Sequence, residues 1–96
     1  MKKFVFLAYG FKTPTQEIMD AWSNWFASIG DNIVDAGNPF GPGREITHDG
    51  TNDLPHDLDA ITGYTIINAE NMDEAEKIAK GCPIITSIRV YEAMSM

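Results

Sequence analysis

Residues 3–9 are apolar at nearly every position, and this pattern predicts the first strand, Lys3–Tyr9. Successive side chains of a strand point to opposite faces of the sheet. The two rows are Phe4, Phe6 and Ala8 on one face and Val5, Leu7 and Tyr9 on the other. A strand that is apolar on both faces is covered on both sides. Helices can cover one face, and in so short a chain we expect another subunit to cover the second.

The next apolar residues recur at helical spacing and predict the first helix. Thr13 is the expected N-cap, with Pro14 at the first helical position and Gln16 closing a capping box. Gly30 is expected to end the helix in a left-handed conformation. The stripe between them is mainly aromatic and comprises Ile18, Trp22, Trp25, Phe26 and Ile29.

The middle of the chain combines short apolar segments with residues that break regular structure. Residues 32–36 are predicted to form a second strand, and a continued helix is the alternative because the apolar positions stay in helical phase. The segment Asn38–Gly43 predicts a rigid loop. Arg44–Thr47 is interpreted as a further strand segment, and His48–Asp59 as a hairpin tip or a long surface loop.

The stretch Gly63–Pro83 predicts a strand, a capped helix and a stop. Tyr64–Ala69 is rich in β-branched and aromatic residues, which favour a strand. Asn71 is the expected N-cap of the second helix, and Glu74 approximates a capping box with it. Gly81 is expected to cap the other end. The apolar stripe of this helix is narrow and consists of Met72, Ala75, Ile78 and Ala79.

Residues 84–94 are predicted to form the last strand, which completes the order β-α-β-β-α-β. With right-handed crossovers, this order indicates an α+β ferredoxin-like sandwich, an antiparallel sheet with two helices on one face. Two such sheets that face each other form a dimeric α/β barrel and cover the remaining face. We therefore expect a single domain over residues 1–96 and a homodimer through the open sheet face.

The charge balance narrows the classes of partner. Seven Lys and Arg oppose fourteen Asp and Glu, so the net charge is −7. Nucleic acid and anionic membrane surfaces both require a basic face, so neither is an expected partner. No apolar run approaches the roughly 18 residues of a membrane span. The single cysteine, Cys82, excludes an internal disulfide, is expected to be buried, and indicates a cytoplasmic location.

Three segments carry a resemblance to a known family. They are FVFLAYG at residues 4–10, SIGDNIVDAG at residues 28–37, and ITGYTIINAENMDEAEKIAKGCP at residues 61–83 followed by IRVYE. Together they resemble the YCII-related (DGPF-type) family of the dimeric α/β-barrel superfamily, which implies a ferredoxin-like protomer and a dimer. The DGPF tetrapeptide itself is absent, and DLPHDLDAI stands at residues 53–61 in its place.

The resemblance supplies only part of a catalytic site. Some members of this family are proposed to use a His–Asp pair whose histidine lies on the first helix, and the first helix here has no histidine. Asp35 matches an acidic position near that site. The candidate catalytic residues are Asp35 or, alternatively, the loop histidine His48, either of which would act as a general base.

The candidate ligand-binding residues are amphipathic or polar side chains on or beside predicted strands, together with two aromatic residues. They are Tyr9, Trp25, Phe40, Arg44, Tyr64 and Arg89. If they converge, they form an apolar pocket with a few orienting polar groups, and the two arginines can hold a carboxylate. In the alternative interpretation, Arg89 pairs with Glu92, Glu45 or Asp35 at a dimer interface, and the tyrosines are ordinary sheet residues.

Two functional hypotheses follow. The first is a small-molecule-binding protein, including a cofactor-free enzyme that acts on a small organic acid. The alternative is a non-catalytic dimeric interaction module. The first requires a water-accessible cavity with Asp35 or a histidine in it, and the second predicts a filled interior and solvated histidines. The spacing of His48, His56 and the nearby aspartates matches no dedicated metal motif, so neither a metal nor a cofactor is predicted.

Overall fold

A computed structural model describes residues 1–95 of the chain. Within that range no helix is both long enough and apolar enough to cross a membrane. The elements, in chain order, are β1 (Lys2–Tyr9), α1 (Gln16–Ser28), a 3-10 turn (Gly30–Asn32), β2 (Ile33–Asp35), β3 (Gly43–Thr47), β4 (Gly50–Leu54), β5 (Ile61–Ala69), α2 (Met72–Ala79) and β6 (Ser87–Ala93).

Four of the strands form one antiparallel sheet in the order β2-β5-β1-β6. The first strand of the chain is therefore central, with β5 on one side and β6 on the other. Apart from the β3–β4 pair, the elements follow one another as strand, helix, strand, strand, helix, strand. The predicted α+β class is confirmed, and the arrangement is compatible with a ferredoxin-like fold.

One face of this sheet forms the core. Phe4 lies opposite Ile67 in the register, and both side chains are fully buried. Burial of a large apolar side chain contributes about 1.5–3 kcal/mol relative to leaving it exposed. The same cluster includes Trp25 of α1, Ile29 directly after it, and Ala75 and Ala79 of α2. Both helices therefore cover the same face of the sheet.

The second helix begins where the sequence predicts. The Glu74 backbone N–H donates to Asn71 Oδ1 at 2.9 Å, so Asn71 is the N-cap. The Glu74 carboxylate accepts instead from the backbone N–H of Glu70, one residue before the cap. Lys80 rather than Gly81 is the C-cap, and it is right-handed. Small residues at the packed positions let α2 lie close against the sheet.

The first helix differs from its prediction at both ends. Thr15, not Thr13, is the N-cap, because its Oγ1 accepts from the Ile18 backbone N–H at 3.2 Å. At the other end Ile29 is the C-cap, and Gly30 starts a 3-10 turn without a positive φ. Helical geometry persists for this one turn before β2 begins. The predicted second strand is thus present, but shorter than expected.

The strands β3 and β4 pair only with each other and form a hairpin, in which every residue is exposed. The predicted strand segment Arg44–Thr47 is its first arm. The structure adds a second arm, Gly50–Leu54, within the stretch predicted as a hairpin tip or a long surface loop. Arg44 and Asp53 pair across it at 3.2 Å, and exposed ion pairs of this kind contribute about 0–1 kcal/mol.

The second face of the four-stranded sheet has no helix on it, and we call it the open face. Along β1, the residues of the open face alternate with the buried phenylalanines. The strand register then identifies the residues of β5, β6 and β2 that lie on the same face. The open face comprises Lys3, Val5, Leu7 and Tyr9 of β1, Tyr64, Ile66 and Asn68 of β5, Arg89, Tyr91 and Ala93 of β6, and Asp35 of β2. Most of these residues are apolar or aromatic, as the sequence predicts.

Candidate functional site

A cavity of about 510 Å³ lies between α1 and the core face of the sheet. Its walls come from the inward face of α1, the end of β1, the loop after β2 and the first half of β5. Ligand sites are typically concave, mostly apolar and about 300–1,000 Å³ in volume. The cavity therefore has the size and composition of a small-molecule site.

Trp25 forms the wall between the cavity and the core. Its side chain is only 5% exposed and packs against Phe6 with ring centroids 6.1 Å apart. The indole Nε1–H donates to the Ile78 carbonyl oxygen at 3.0 Å, which ties α1 to α2. A buried indole needs such a partner, and the bond fixes the orientation of the ring. This residue, predicted as ligand-binding, is therefore both a core residue and part of the cavity wall.

Two more aromatic residues of α1 continue the wall. Trp22 meets Trp25 edge to face at 5.6 Å, and Phe26 lies 5.2 Å from Trp25. Bulky rings on α1 hold this helix away from the sheet, whereas alanines let α2 approach it. The difference in side-chain size between the two helices accounts for a cavity under the first helix.

The loop after β2 closes a second side of the cavity. Gly37 has a φ of +80°, and a Cβ at this position would lie 1.7 Å from the Tyr64 carbonyl oxygen. Phe40 stacks on Tyr64 at 5.5 Å, and its backbone N–H donates to the Thr62 carbonyl oxygen at 2.8 Å. The loop is thus fixed to β5, which makes this wall part of the folded framework.

The third side contains a histidine. The Phe11 backbone N–H donates to the Asp57 carbonyl oxygen at 2.8 Å, which brings the loop after β1 against the segment before β5. The Phe11 ring lies on the His56 imidazole with centroids 4.0 Å apart. His56 lines the cavity, and its Nε2 is buried without a hydrogen-bond partner among residues 1–95. Buried polar atoms are usually paired, so an unpaired one beside a cavity indicates a place for a polar partner.

The electrostatics of the lining differ from those of the whole chain. None of the fourteen acidic residues lines the cavity, whereas Lys12 and His56 do. Lys12 is exposed, so it lies at the opening. Two threonines of the lining, Thr62 and Thr65, donate to backbone carbonyl oxygens of Gly10 and Ala36 at 3.2 Å. The basic side chains open to a ligand are therefore Lys12 and His56.

Cys82 also lines the cavity and is only 6% exposed. Burial raises the pKa of its thiol from 9.0 to about 11, because the charged thiolate loses its hydration. The neutral thiol predominates at physiological pH, and a neutral thiol is a poor nucleophile. Cys82 therefore acts here as a small apolar wall residue, in agreement with the predicted burial.

The structure separates the sequence-predicted site residues into two groups. Four of the predicted ligand-binding residues contribute to the cavity lining: Tyr9, Trp25, Phe40 and Tyr64. Of these, Tyr9 and Tyr64 have their side chains on the open face of the sheet, away from α1. Neither predicted arginine does. Arg44 pairs with Asp53 on the hairpin, and Arg89 lies 4.4 Å over the Tyr9 ring on the open face. The two arginines are thus not positioned to hold one carboxylate inside this cavity.

The two alternative catalytic bases, Asp35 and His48, both lie outside the cavity lining. His48 lies in the exposed turn between β3 and β4, outside the cavity lining. Asp35 accepts hydrogen bonds from the Gly37 backbone N–H at 2.8 Å and the Tyr64 hydroxyl at 3.2 Å. Its role in the protomer is therefore to hold the loop that forms the cavity wall.

A second, shallower hollow of about 740 Å³ lies at the base of the hairpin. It brings together three of the predicted ligand-binding residues, Tyr9, Phe40 and Arg44. Two acidic residues, Asp57 and Asp59, also line it. The mixture of charges and the exposed walls make it a weaker candidate for a small-molecule site than the cavity under α1.

Sequence reasoning missed Lys12 and did not single out His56 from the other loop histidine. The contact between Phe11 and His56 joins residues far apart in the chain, and no local pattern signals it. Among residues 1–95, no group of three or more His, Cys, Asp or Glu side chains is placed to hold a metal ion. Comparisons with protein-family models, curated proteins and solved structures find no match to this chain.

Proposed function

We propose that this protein binds a small organic acid with a flat, apolar body in the cavity under α1. The observation that carries the proposal is an apolar cavity of about 510 Å³ whose only ionisable neighbours of basic type, within residues 1–95, are Lys12 and His56. The proposal moves the polar site residues from Arg44 and Arg89 to these two side chains.

The walls and the opening have different roles in this proposal. The rings of Trp22, Trp25 and Phe26 offer stacking or edge contacts to a planar ligand, and aromatic contacts add about 0.5–1.5 kcal/mol beyond simple burial. Lys12 attracts the carboxylate at the opening. The net charge of −7 opposes anions at long range, but salt screens charges more than about 8–10 Å away.

His56 is the group best placed for acid/base chemistry in a cofactor-free reaction. It lines the cavity, whereas Asp35 and His48 do not. Its Nε2 needs a small displacement of its neighbours to reach a ligand, because that atom is buried in the protomer. The catalytic form of the proposal is therefore proton transfer to or from a bound acid by His56, with Lys12 as the anchor of the carboxylate.

We further propose a homodimer that assembles through the open face, as a dimeric α/β barrel. Val5, Leu7 and Ile66 form an apolar strip across the two central strands of that face, flanked by tyrosines. Side chains of this kind at the centre of a sheet are stabilised by a covering layer. A buried, reduced Cys82 supports the further proposal of a cytoplasmic location.

Ligand binding can be tested with matched pairs of acids and neutral amides. Both tryptophans of the chain line the cavity, so their fluorescence reports on a ligand there. We expect phenylacetate, indole-3-acetate and phenylpyruvate to change the fluorescence and raise the melting temperature more than phenylacetamide and indole-3-acetamide. A ligand at a hundred times its Kd adds about 2.7 kcal/mol of stability.

Variants separate the anchor from general charge effects. Lys12→Gln should remove the preference for acids over amides, and Lys77→Gln, an exposed position on α2, should retain it. For the catalytic form, the protein should accelerate exchange of the C3 protons of phenylpyruvate with D₂O, and His56→Gln should not. Absence of binding by every acid and every amide would refute the proposed site and favour the non-catalytic dimeric module.

A further inference from the structure

The open face carries two oppositely charged side chains that have no ionic partner within residues 1–95. Arg89 lies over the Tyr9 ring, and its guanidinium has no carboxylate within 4.0 Å. Asp35 is held by a tyrosine hydroxyl and a backbone N–H, and it has no cationic partner. Both are exposed in the protomer. On a face that becomes covered, each of these charges requires a partner, because an unpaired buried charge is strongly destabilising.

The two charges cannot meet within one protomer. Asp35 is on β2 and Arg89 is on β6, which are the two edge strands of the sheet. Three strand spacings of about 4.8 Å separate these strands, or roughly 14 Å in all. The charges therefore mark opposite edges of one otherwise largely apolar surface.

We infer that a second copy of this chain covers the open face, and that Arg89 of each protomer pairs with Asp35 of the other. A two-fold axis that runs between the sheets and parallel to the strands exchanges the two edges. It places β6 of one copy over β2 of the other, twice, by symmetry. The inference rests on the homodimer proposed above and adds its orientation and its polar contacts.

The register allows this pairing to form diagonally. Asp35 is level with Ile66, which is level with Val5 and so with Tyr91 on β6. Arg89 is two residues before Tyr91 on β6, about 7 Å away along the strand direction. Packed sheets lie about 10 Å apart, and long side chains reach diagonal neighbours. An arginine that crosses to the facing sheet can therefore reach the Asp35 carboxylate.

The pairing also connects the interface to the cavity. Asp35 immediately precedes Ala36 and Gly37, and it accepts from Tyr64; all three of these residues line the cavity. In the proposed dimer, the Arg89 guanidinium of the other protomer contacts the same Asp35 carboxylate that holds this wall. Weakening the pair is expected to affect the cavity as well as the assembly.

Charge reversal with complementation tests the pairing directly. Arg89→Glu and Asp35→Arg should each weaken the dimer by roughly a hundredfold in Kd, since each places two like-charge pairs in the interface. Mixing the two variants should restore a heterodimer, because one contact then joins Glu and Arg and the other joins the native Asp35 and Arg89. The double variant should restore the homodimer.

Analytical ultracentrifugation and native mass spectrometry measure these equilibria, and circular dichroism confirms that each variant is folded. Lys77→Glu, which makes the same change in net charge as Arg89→Glu but at an exposed position of α2, is the matched control for that variant and should leave the Kd unchanged.

A monomeric wild-type protein would overturn both the dimer and the inference. A wild-type dimer that the single reversals do not weaken would overturn the pairing and leave the dimer intact. The single variants could also weaken the dimer while neither their mixture nor the double variant restores its Kd. That result would show that these two residues do not face each other.

Discussion

Gly37→Ala is expected to destabilise the protein strongly, although it adds only one methyl group. The added Cβ would lie 1.7 Å from the Tyr64 carbonyl oxygen and 2.7 Å from its carbonyl carbon. Ordinary contacts of a Cβ begin near 3.4 Å. The loop or the strand must therefore move by more than an ångström, and both are held in place, because the Asp35 carboxylate bonds to the Gly37 N–H and to the Tyr64 hydroxyl.

The size of the effect follows from two costs. A non-glycine residue at a φ of +80° costs about 1–2 kcal/mol. Overpacking against a fixed backbone adds typically 1–3 kcal/mol. The sum is about 2–5 kcal/mol. For a domain of this size each kcal/mol lowers the Tm by about 4–8 °C, so we expect a decrease of at least about 8 °C.

Thermal and urea unfolding followed by tryptophan fluorescence measure this difference. Gly41→Ala is the matched control, since it lies in the same loop region without a positive φ and without a heavy atom within 4 Å of the added Cβ. It should be neutral or stabilising by about 0.4–1 kcal/mol. A Gly37→Ala protein that melts within about 2 °C of the wild type would refute the close contact between this loop and β5.

Three further predictions concern the helix start, the buried thiol and the tryptophan wall. Thr15→Ala should cost about 1 kcal/mol in urea unfolding, while Thr13→Ala should change the free energy of unfolding by less than about 0.5 kcal/mol, because only Thr15 caps α1. Burial raises the pKa of Cys82 from 9.0 to about 11, so its contribution to stability is complete below pH 9 and decreases as the pH rises toward 11. The profile of unfolding free energy against pH should be flatter in this range for Cys82→Ala; an equal slope in both proteins would contradict the raised pKa. Trp25→Phe should lower the free energy of unfolding by about 1–3 kcal/mol, because it removes the hydrogen bond to the Ile78 carbonyl oxygen and enlarges the cavity. A variant as stable as the wild type would exclude a structural role for that hydrogen bond.

Local chemistry explains which parts of the fold were predictable. Asn71 is the only good cap at the start of α2, and the structure confirms it. At α1 the sequence offers threonines at positions 13 and 15, and local rules favoured the one that precedes Pro14. The structure selects Thr15. The Phe11 backbone N–H donates to the Asp57 carbonyl oxygen, a tertiary contact shortly before the helix that local rules do not include.

The candidate site shows the limit of the same reasoning. The sequence predicts that Tyr9, Trp25, Phe40 and Tyr64 converge, and all four contribute to the cavity lining, although ligand binding by them stays a prediction. The two arginines could not be placed from sequence, since their positions depend on strand register and on a hairpin that leaves the sheet. His56 was equally inaccessible to pattern arguments, because its neighbour Phe11 comes from the other half of the chain.

The exposed hairpin has a consequence for how this chain can vary. Its strands bond only to each other, and none of its ten residues belongs to the buried cluster. Loops that lie outside a core tolerate insertion and deletion at little thermodynamic cost. None of residues 43–54 lines the cavity under α1, so their length and composition can change without altering its walls. A chain with a short turn in this place would keep the same framework, and natural or engineered diversity can accumulate here without a loss of stability.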